Sequence, residues 1–151
     1  MRPVFLIIIG ILLFFPSPET LSWEGRRTYG DLEGVIYLGN YDGDTLRFDI
    51  PGTHPLFGEG IPVRVRGVDT PEIRAKCPEE KRMALEARER VRQLLENAKC
   101  ITLRKTGRDK YFRIVARVVA DGMDVGEMLI GAGLAVPYDG GRKNTDWCAM
   151  R

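Results

Sequence analysis

The spacing at which hydrophobic residues recur changes along the sequence, and this change limits the folds that the chain can adopt. Residues 62–66 alternate valine with arginine, which is the two-residue repeat of a β-strand. Residues 79–98 instead place apolar side chains at helical spacing, with charged residues between them. Two more strand-like segments follow at 101–103 and 111–119, and a turn is expected between them at 106–109.

The remaining segments complete a recognisable order of elements. Residues 34–50 form a hairpin pattern, residues 51–61 form a loop rich in proline and glycine, and a capping-box pattern at 124–127 begins a short helix. The resulting order is β-β-β-α-β-β-α. Short strands with one long helix after the third are typical of an OB-fold. We therefore predict an α+β, mainly β protein whose five-stranded OB-fold barrel covers residues 34–148, after a lead-in at 23–33.

The N-terminal segment has the composition of an export signal. Arg2 is followed by the almost wholly apolar residues 4–15, and prolines then interrupt the run. About 12 apolar residues are short of the roughly 20 that span a bilayer, and they fit the hydrophobic region of a signal peptide. We expect cleavage after Ser22, so that residues 1–22 are removed; the alternative is an uncleaved membrane anchor. In both cases the folded part is exported, to the periplasm or as a secreted protein.

Export changes how the cysteines are interpreted, because cysteines outside the cytosol tend to form disulfides. The chain has Cys77, Cys100 and Cys148, which allow three pairings, and the sequence alone does not choose among them. We favour a Cys77–Cys148 disulfide, which would tie the C-terminal tail to the body and leave Cys100 free. The alternative is that no disulfide forms.

The inventory of reactive side chains excludes several kinds of site. With one histidine, His54, and three cysteines, the chain has no multi-histidine metal site, no H-E-x-x-H motif and no four-cysteine zinc site. A net charge of +2 argues against a polybasic nucleic-acid binder, although it allows a local basic groove. Any chemistry must therefore use carboxylates, arginines, lysines or tyrosines.

Three charged clusters adjoin predicted loops, and each has two interpretations. Asp42 and Asp44 flank a glycine and fit a hard cation that prefers oxygen ligands, although Asp-Gly is also a common hairpin turn. Asp69 and Glu72 fit a second metal ligand and a base for water, but their spacing also matches a capping box. Residues 109–113 form a cation-rich turn that suits phosphate or an ordinary exposed hairpin.

Taken together and in this order, these segments resemble the thermonuclease family, of which staphylococcal nuclease is the best-known member. The resemblance covers roughly residues 34–138. The matching segments are D-G-D-T at 42–45, V-R-x-x-G-V-D-T-P-E at 63–72, E-N-A-K at 96–99, D-K-Y-x-R at 109–113 and D-G-x-x-V-x-E-x-L-I-x-x-G-L-A at 121–135. Phe112 departs from the family pattern, which usually has glycine there, and Tyr138 is a looser match.

The resemblance implies a calcium-dependent nuclease that hydrolyses DNA and RNA to 3′-phosphate and 5′-hydroxyl ends. It implies one Ca²⁺ ion, held by the side chains of Asp44 and Asp69 and by the backbone carbonyl of Thr70. It places Asp42 beside the metal, where it would act mainly through water.

The resemblance also implies roles for the residues around the substrate. Glu72 would orient or deprotonate the attacking water, and Arg64 and Arg113 would clamp the scissile phosphate. The expected substrate-binding residues are Lys110, Tyr111 and Tyr138. We expect a monomer with no obligate protein partner, acting on single-stranded or frayed nucleic acid by analogy with OB-fold grooves. The alternative is a catalytically inactive OB-fold module that only binds nucleic acid.

Overall fold

A computed structural model describes residues 27–150 of the chain, so the predicted signal peptide lies outside the described residues. Its helices are α1 (Pro55–Gly58), α2 (Pro78–Glu96) and α3 (Val125–Gly131). Its strands are β1 (Leu32–Glu33), β2 (Ile36–Asn40), β3 (Thr45–Asp49), β4 (Ile61–Val65), β5 (Val68–Asp69), β6 (Ile101–Arg108), β7 (Ile114–Ala120), β8 (Met123–Asp124) and β9 (Val136–Pro137). Within this range no helix combines the length and the apolar character needed to cross a membrane.

The main sheet is a curled half-barrel, which confirms the predicted mainly β, OB-fold-like architecture. Its strands run in the order β1-β6-β7-β4-β3-β2, with β8 beside β7, and β5 pairs separately with β9. All neighbours are antiparallel except β4 and β7. Register shifts between Tyr37 and Gly39 and between Arg104 and Gly107 add twist, which helps the sheet to curl.

One apolar core fills the concave side of the sheet. Leu46 and Phe48 alternate with polar residues along β3, and their side chains are fully buried. The helical pattern predicted for α2 brings Ala87 and Val91 onto the same core. Burial of this apolar surface, at about 25 cal/mol per Å², is the main favourable contribution to folding.

The hairpin formed by β6 and β7 differs from the prediction in where its strands and turn begin and end. The turn predicted at 106–109 is wrong at residues 106–108, because β6 continues to Arg108 and the turn begins only at Asp109. The strand predicted at 111–119 accordingly begins later, at Ile114, and ends at Ala120. Residues of the lead-in extend β6 from its other side: the Tyr29 amide donates to the Thr106 carbonyl at 2.8 Å. Pairing along both edges keeps a glycine-containing segment extended.

The predicted loop at 51–61 contains the short helix α1. His54 caps it, since its Nδ1 accepts a hydrogen bond from the Leu56 amide at 3.2 Å, and Pro55 occupies the first helical position, where proline is favoured.

The C-terminal tail is fastened to the body of the protein. Cys77 and Cys148 form a disulfide, whereas Cys100 is an exposed free thiol. Trp147, next to the disulfide, is buried. The disulfide joins the residue that caps α2 to the end of the tail, so it crosslinks two parts of the chain that are 71 residues apart.

Removal of this crosslink should lower stability substantially. A disulfide that closes a long loop restricts the unfolded chain, and its loss typically costs about 2–4 kcal/mol. We expect the Cys77→Ser/Cys148→Ser double variant to lose that much free energy of unfolding in non-reducing urea denaturation. Cys100→Ser is the matched control and should change it by less than roughly 0.5 kcal/mol. Equal losses in the two proteins would contradict a structural role for the disulfide.

Candidate active site

A cleft of about 520 Å³ opens at one end of the barrel, where the predicted functional residues converge. Its walls come from the turn after β2, from β4, from the loop after β5, from the turn after β6 and from the tail. The residues that line it are Tyr41, Asp42, Asp44, Thr45, Arg64, Glu72, Asp109, Lys110, Tyr111, Arg113, Tyr138, Gly140, Gly141 and Lys143. Residues from all three charged clusters therefore meet in one cavity, whereas Asp69 lines an adjoining cavity that shares Tyr138 and Lys143 with it.

The turn between β2 and β3 aims Asp44 into the interior. An Asp42 carboxylate oxygen accepts hydrogen bonds from the backbone amides of Asp44 and Thr45, at 3.0 and 2.7 Å. Gly43 fits because this turn packs tightly: an added Cβ would lie 2.9 Å from Thr70 Cγ2 and 3.0 Å from Ala87 Cβ. The turn is thus a real hairpin connection and also a support for a buried carboxylate.

Asp44, Arg64 and Asp69 form a buried charged cluster. Arg64 Nη1 lies 2.5 Å from Asp44 Oδ2, and Arg64 Nη2 lies 3.5 Å from Asp69 Oδ1. Thr70 donates to Asp44 Oδ2 from both its amide and its hydroxyl, at 3.0 and 2.9 Å. Arg64 projects from the opposite face of β4 to its valines, as the alternation predicted, but that face is covered and Arg64 is buried rather than solvated.

Two atoms of this cluster are buried without a hydrogen-bond partner within residues 27–150: Arg64 Nη2 and Asp69 Oδ1. Asp69 Oδ1 is nevertheless ion-paired, because Lys143 Nζ lies 2.7 Å from it, so Arg64 Nη2 is the atom of this cluster that lacks a close partner among the described residues. A buried polar atom left in this state costs about 1–3 kcal/mol, so it usually marks a place where something else binds. A guanidinium nitrogen with a donor to spare suits an anion, and the neighbouring carboxylates suit a cation. Together with the oxygen donors of Asp44 and Thr70, this arrangement fits a hard divalent cation beside a phosphate.

Burial disfavours the charged form of two acids at the site, Asp42 and Asp69. Burial, and secondarily the neighbouring Asp44 carboxylate, raise the pKa of Asp42 to about 6. Burial also raises the pKa of Asp69, although the ammonium group of Lys143 opposes this shift. A bound cation would stabilise both carboxylates in their charged form.

Glu72 stands at the rim of the cleft, on a loop that is not helical. A capping box at Asp69–Glu72 is wrong, because the helix that it would begin does not form until Pro78. The loop is instead ordered by the buried Glu80, whose two carboxylate oxygens accept the amides of Glu72 and Lys76 at 3.3 and 3.1 Å. No local pattern in the sequence predicts this contact.

Lys143 is a site residue that the sequence did not reveal. Its Nζ lies 2.7 Å from Asp69 Oδ1 and 2.5 Å from Glu72 Oε1. Burial lowers the pKa of Lys143, but the two carboxylates outweigh that effect and raise it above its ordinary value. Lys143 follows a glycine-rich stretch with no motif, so only the attachment of the tail brings it to the cleft.

The turn after β6 orients the second arginine. Asp109 accepts the amides of Tyr111 and Arg113 at 2.8 and 3.0 Å, and its other oxygen accepts Arg113 Nε at 2.8 Å. Lys110 and Arg113 both lie over the Tyr111 ring, at 5.0 and 5.6 Å from its centroid. On the other side, the Arg64 guanidinium lies 5.9 Å from the centre of the Tyr138 ring. The predicted substrate-binding residues thus line the same cleft as the two arginines, and their roles stay predictions.

Phe112 adopts a left-handed backbone conformation, with φ of +64°. This conformation costs an L-residue about 1–2 kcal/mol and costs glycine almost nothing, which explains why a glycine suits this position. The Phe112 side chain is 79% exposed, so it gains little from packing.

Phe112→Gly should therefore raise the free energy of unfolding by roughly 0.5–1 kcal/mol, because the relief of backbone strain exceeds the added entropy of the unfolded chain. Phe112→Ala is the matched control: it removes the ring, keeps the strain and should leave stability nearly unchanged. Urea denaturation of the three proteins measures this, and a Phe112→Gly variant less stable than Phe112→Ala would contradict the strain argument.

The fold and the cleft define a class: an OB-like half-barrel with buried acids, two arginines and aromatic rings around one cavity. A family model described as staphylococcal nuclease homologue matches residues 62–147, and the chain belongs to that family. The match includes both arginines, Asp69, Thr70 and Glu72, which supports a nuclease-type family with nucleic acid as substrate. A search of the curated proteins gives no match for this chain.

Proposed function

We propose that this protein is an exported, calcium-dependent nuclease that hydrolyses phosphodiester bonds of DNA and RNA and leaves 3′-phosphate and 5′-hydroxyl ends. The observation that carries the proposal is the buried Asp44–Arg64–Asp69 cluster, in which Arg64 Nη2 lacks a hydrogen bond to any described residue, beside a cleft that Asp44, Arg64 and Arg113 line. A cation beside the two carboxylates and a phosphate beside the guanidinium groups would suit this set of charges.

The ion site would be formed by acids that are already held in place. Asp44 and Asp69 would provide side-chain oxygens, Thr70 its backbone carbonyl, and Asp42 an acid that acts through water. When bound, the ion would act as a Lewis acid toward a phosphoryl oxygen. The Thr70 hydroxyl and amide keep one Asp44 oxygen fixed before any ion binds, so little reorganisation is needed.

The two arginines would bind the phosphate and the charge that builds on it during attack. Arg64 has Nη2 available, and Arg113 is held at Nε by Asp109, which leaves its two terminal nitrogens for the substrate. Guanidinium groups suit this task because they make planar, bidentate hydrogen bonds to phosphate oxygens. Such preorganised donors in a sheltered cleft are usually the largest contribution to the rate.

Glu72 is the proposed base for the attacking water. Its side chain is half-exposed at the rim, so water reaches it without opening the barrel. The fixed loop amide, held by Glu80, limits where that carboxylate can move.

The aromatic residues favour an unpaired strand as substrate. Tyr111 and Tyr138 each lie beside an arginine of the site, where a base next to the scissile phosphate would stack. Lys110 would contact the neighbouring phosphate. The proposed contacts involve phosphates and bases and no sugar hydroxyl, so they would allow both DNA and RNA as substrates. We further propose a monomer with no obligate protein partner, in the periplasm or outside the cell, with anchoring by residues 4–15 as the alternative.

Removal of either arginine should slow hydrolysis strongly. Loss of one preorganised donor to developing charge typically costs about 10²–10³ in rate, and we expect that loss for Arg64→Ala and for Arg113→Ala. Arg104→Ala, on the exposed side of β6, is the control for a general loss of positive charge. Circular dichroism must show that the variants are folded. An unchanged hydrolysis rate in a folded variant would remove that arginine from the site.

Calcium dependence and substrate class are tested in one experiment. The mature chain is incubated with labelled single-stranded and double-stranded DNA and RNA, in calcium and in chelator, and product ends are identified. We expect cleavage only with calcium, faster on single strands, and 3′-phosphate ends. Binding without cleavage under all conditions would instead support the inactive binding module, and faster cleavage of duplex would overturn the proposed preference.

A further inference from the structure

Lys143 pairs with a carboxylate that the proposed ion would also bind. Its ammonium group contacts Asp69, a proposed metal ligand, and Glu72, the proposed base. Both distances are those of direct ion pairs, so the lysine compensates negative charge that a divalent cation would otherwise compensate.

The tail that carries Lys143 is fixed at both ends. At one end the Tyr138 amide donates to the Gly67 carbonyl at 2.9 Å, next to the β5–β9 pairing. At the other end Cys148 is bonded to Cys77, and Trp147 is buried. Within the tail, the Tyr138 hydroxyl donates to the Gly141 carbonyl at 2.6 Å, which bends the chain toward the cleft. These anchors keep the Lys143 ammonium close to the acids at a high effective concentration.

We propose that Lys143 is a tethered competitor of the divalent cation: it holds Asp69 and Glu72 when the ion is absent and withdraws when the ion binds. The inference rests on the proposed function, because it assumes that Asp69 is a metal ligand. A positive ammonium at hydrogen-bond distance from a ligand oxygen repels a divalent ion that shares that oxygen. The Lys143 side chain is 44% exposed, so it has solvent to move into.

This competition has a consequence for the reaction. While Lys143 is paired with Glu72, the proposed base is neutralised and the ligand Asp69 is occupied. Cation binding would thus free the metal ligand and the base together. The position of the tail would set the calcium concentration at which the enzyme becomes active.

The test measures calcium binding directly, by isothermal titration calorimetry of the metal-free mature protein. We expect Lys143→Ala to bind Ca²⁺ at least about tenfold more tightly than the unaltered chain. Arg142→Ala is the matched control, because it removes the same charge from the exposed adjacent residue, which forms no ion pair with Asp69 or Glu72. It should change the affinity by less than roughly threefold, since solvent and salt screen an exposed charge.

A second measurement follows the lysine itself. An amine-acylating reagent, read by mass spectrometry, should modify Lys143 faster in calcium than in chelator, whereas the exposed Lys81 should react equally in both. Equal affinities for calcium in Lys143→Ala and the unaltered chain would overturn the inference and leave the proposed function intact. So would a loss of hydrolysis at saturating calcium with unchanged affinity, which would make Lys143 a positioning residue for Glu72. If none of the proteins bound calcium, the proposed metal site and the inference would both fail.

Discussion

The structure of the site depends on one buried charge, the guanidinium of Arg64. A buried cation is tolerated only if acids compensate its charge, and here Asp44 does so from the turn before β3 and Asp69 from the end of β5. The register of β3 and β4 places Thr45 opposite Arg64, and the Val65 amide donates to the Asp44 carbonyl at 2.8 Å, so the backbone fixes this arrangement before the side chains pair. The barrel therefore brings the acids together, and the arginine keeps them there.

The outer parts of the chain support this cluster from the other side of the cleft. Glu80, in the first turn of α2, holds the loop that carries Glu72, and the disulfide at the start of the same helix holds the tail that carries Lys143. The N-terminus of α2 is thus linked to Glu72 and Lys143 at the rim of the cleft by one disulfide and a few hydrogen bonds. Loss of the disulfide would therefore affect both the stability of the fold and the position of Lys143 in the cleft.

The order of the longer elements could be predicted from the sequence because the periods of two and of about 3.6 residues are local signals, whereas α1 and the two-residue strands carry no such signal. The acids and arginines of the site were also accessible, since short motifs around Asp44, Asp69 and Arg113 match those of a known family. The length of β6 could not be predicted, because its extension depends on pairing with residues near Tyr29, far away in sequence. Lys143 and Glu80 were missed for the same reason: their partners lie many residues away or across a loop that no local pattern describes.

The proposed function requires that Asp44 and Asp69 share a hard cation beside a phosphate held by Arg64 and Arg113. A crystal structure of the mature protein grown with calcium and a non-hydrolysable single-stranded oligonucleotide tests this most directly. We expect that crystal to contain one ion bound by the two carboxylates and the Thr70 carbonyl, with a phosphate in contact with both guanidinium groups. An ion bound elsewhere, or a phosphate that contacts neither arginine, would contradict it.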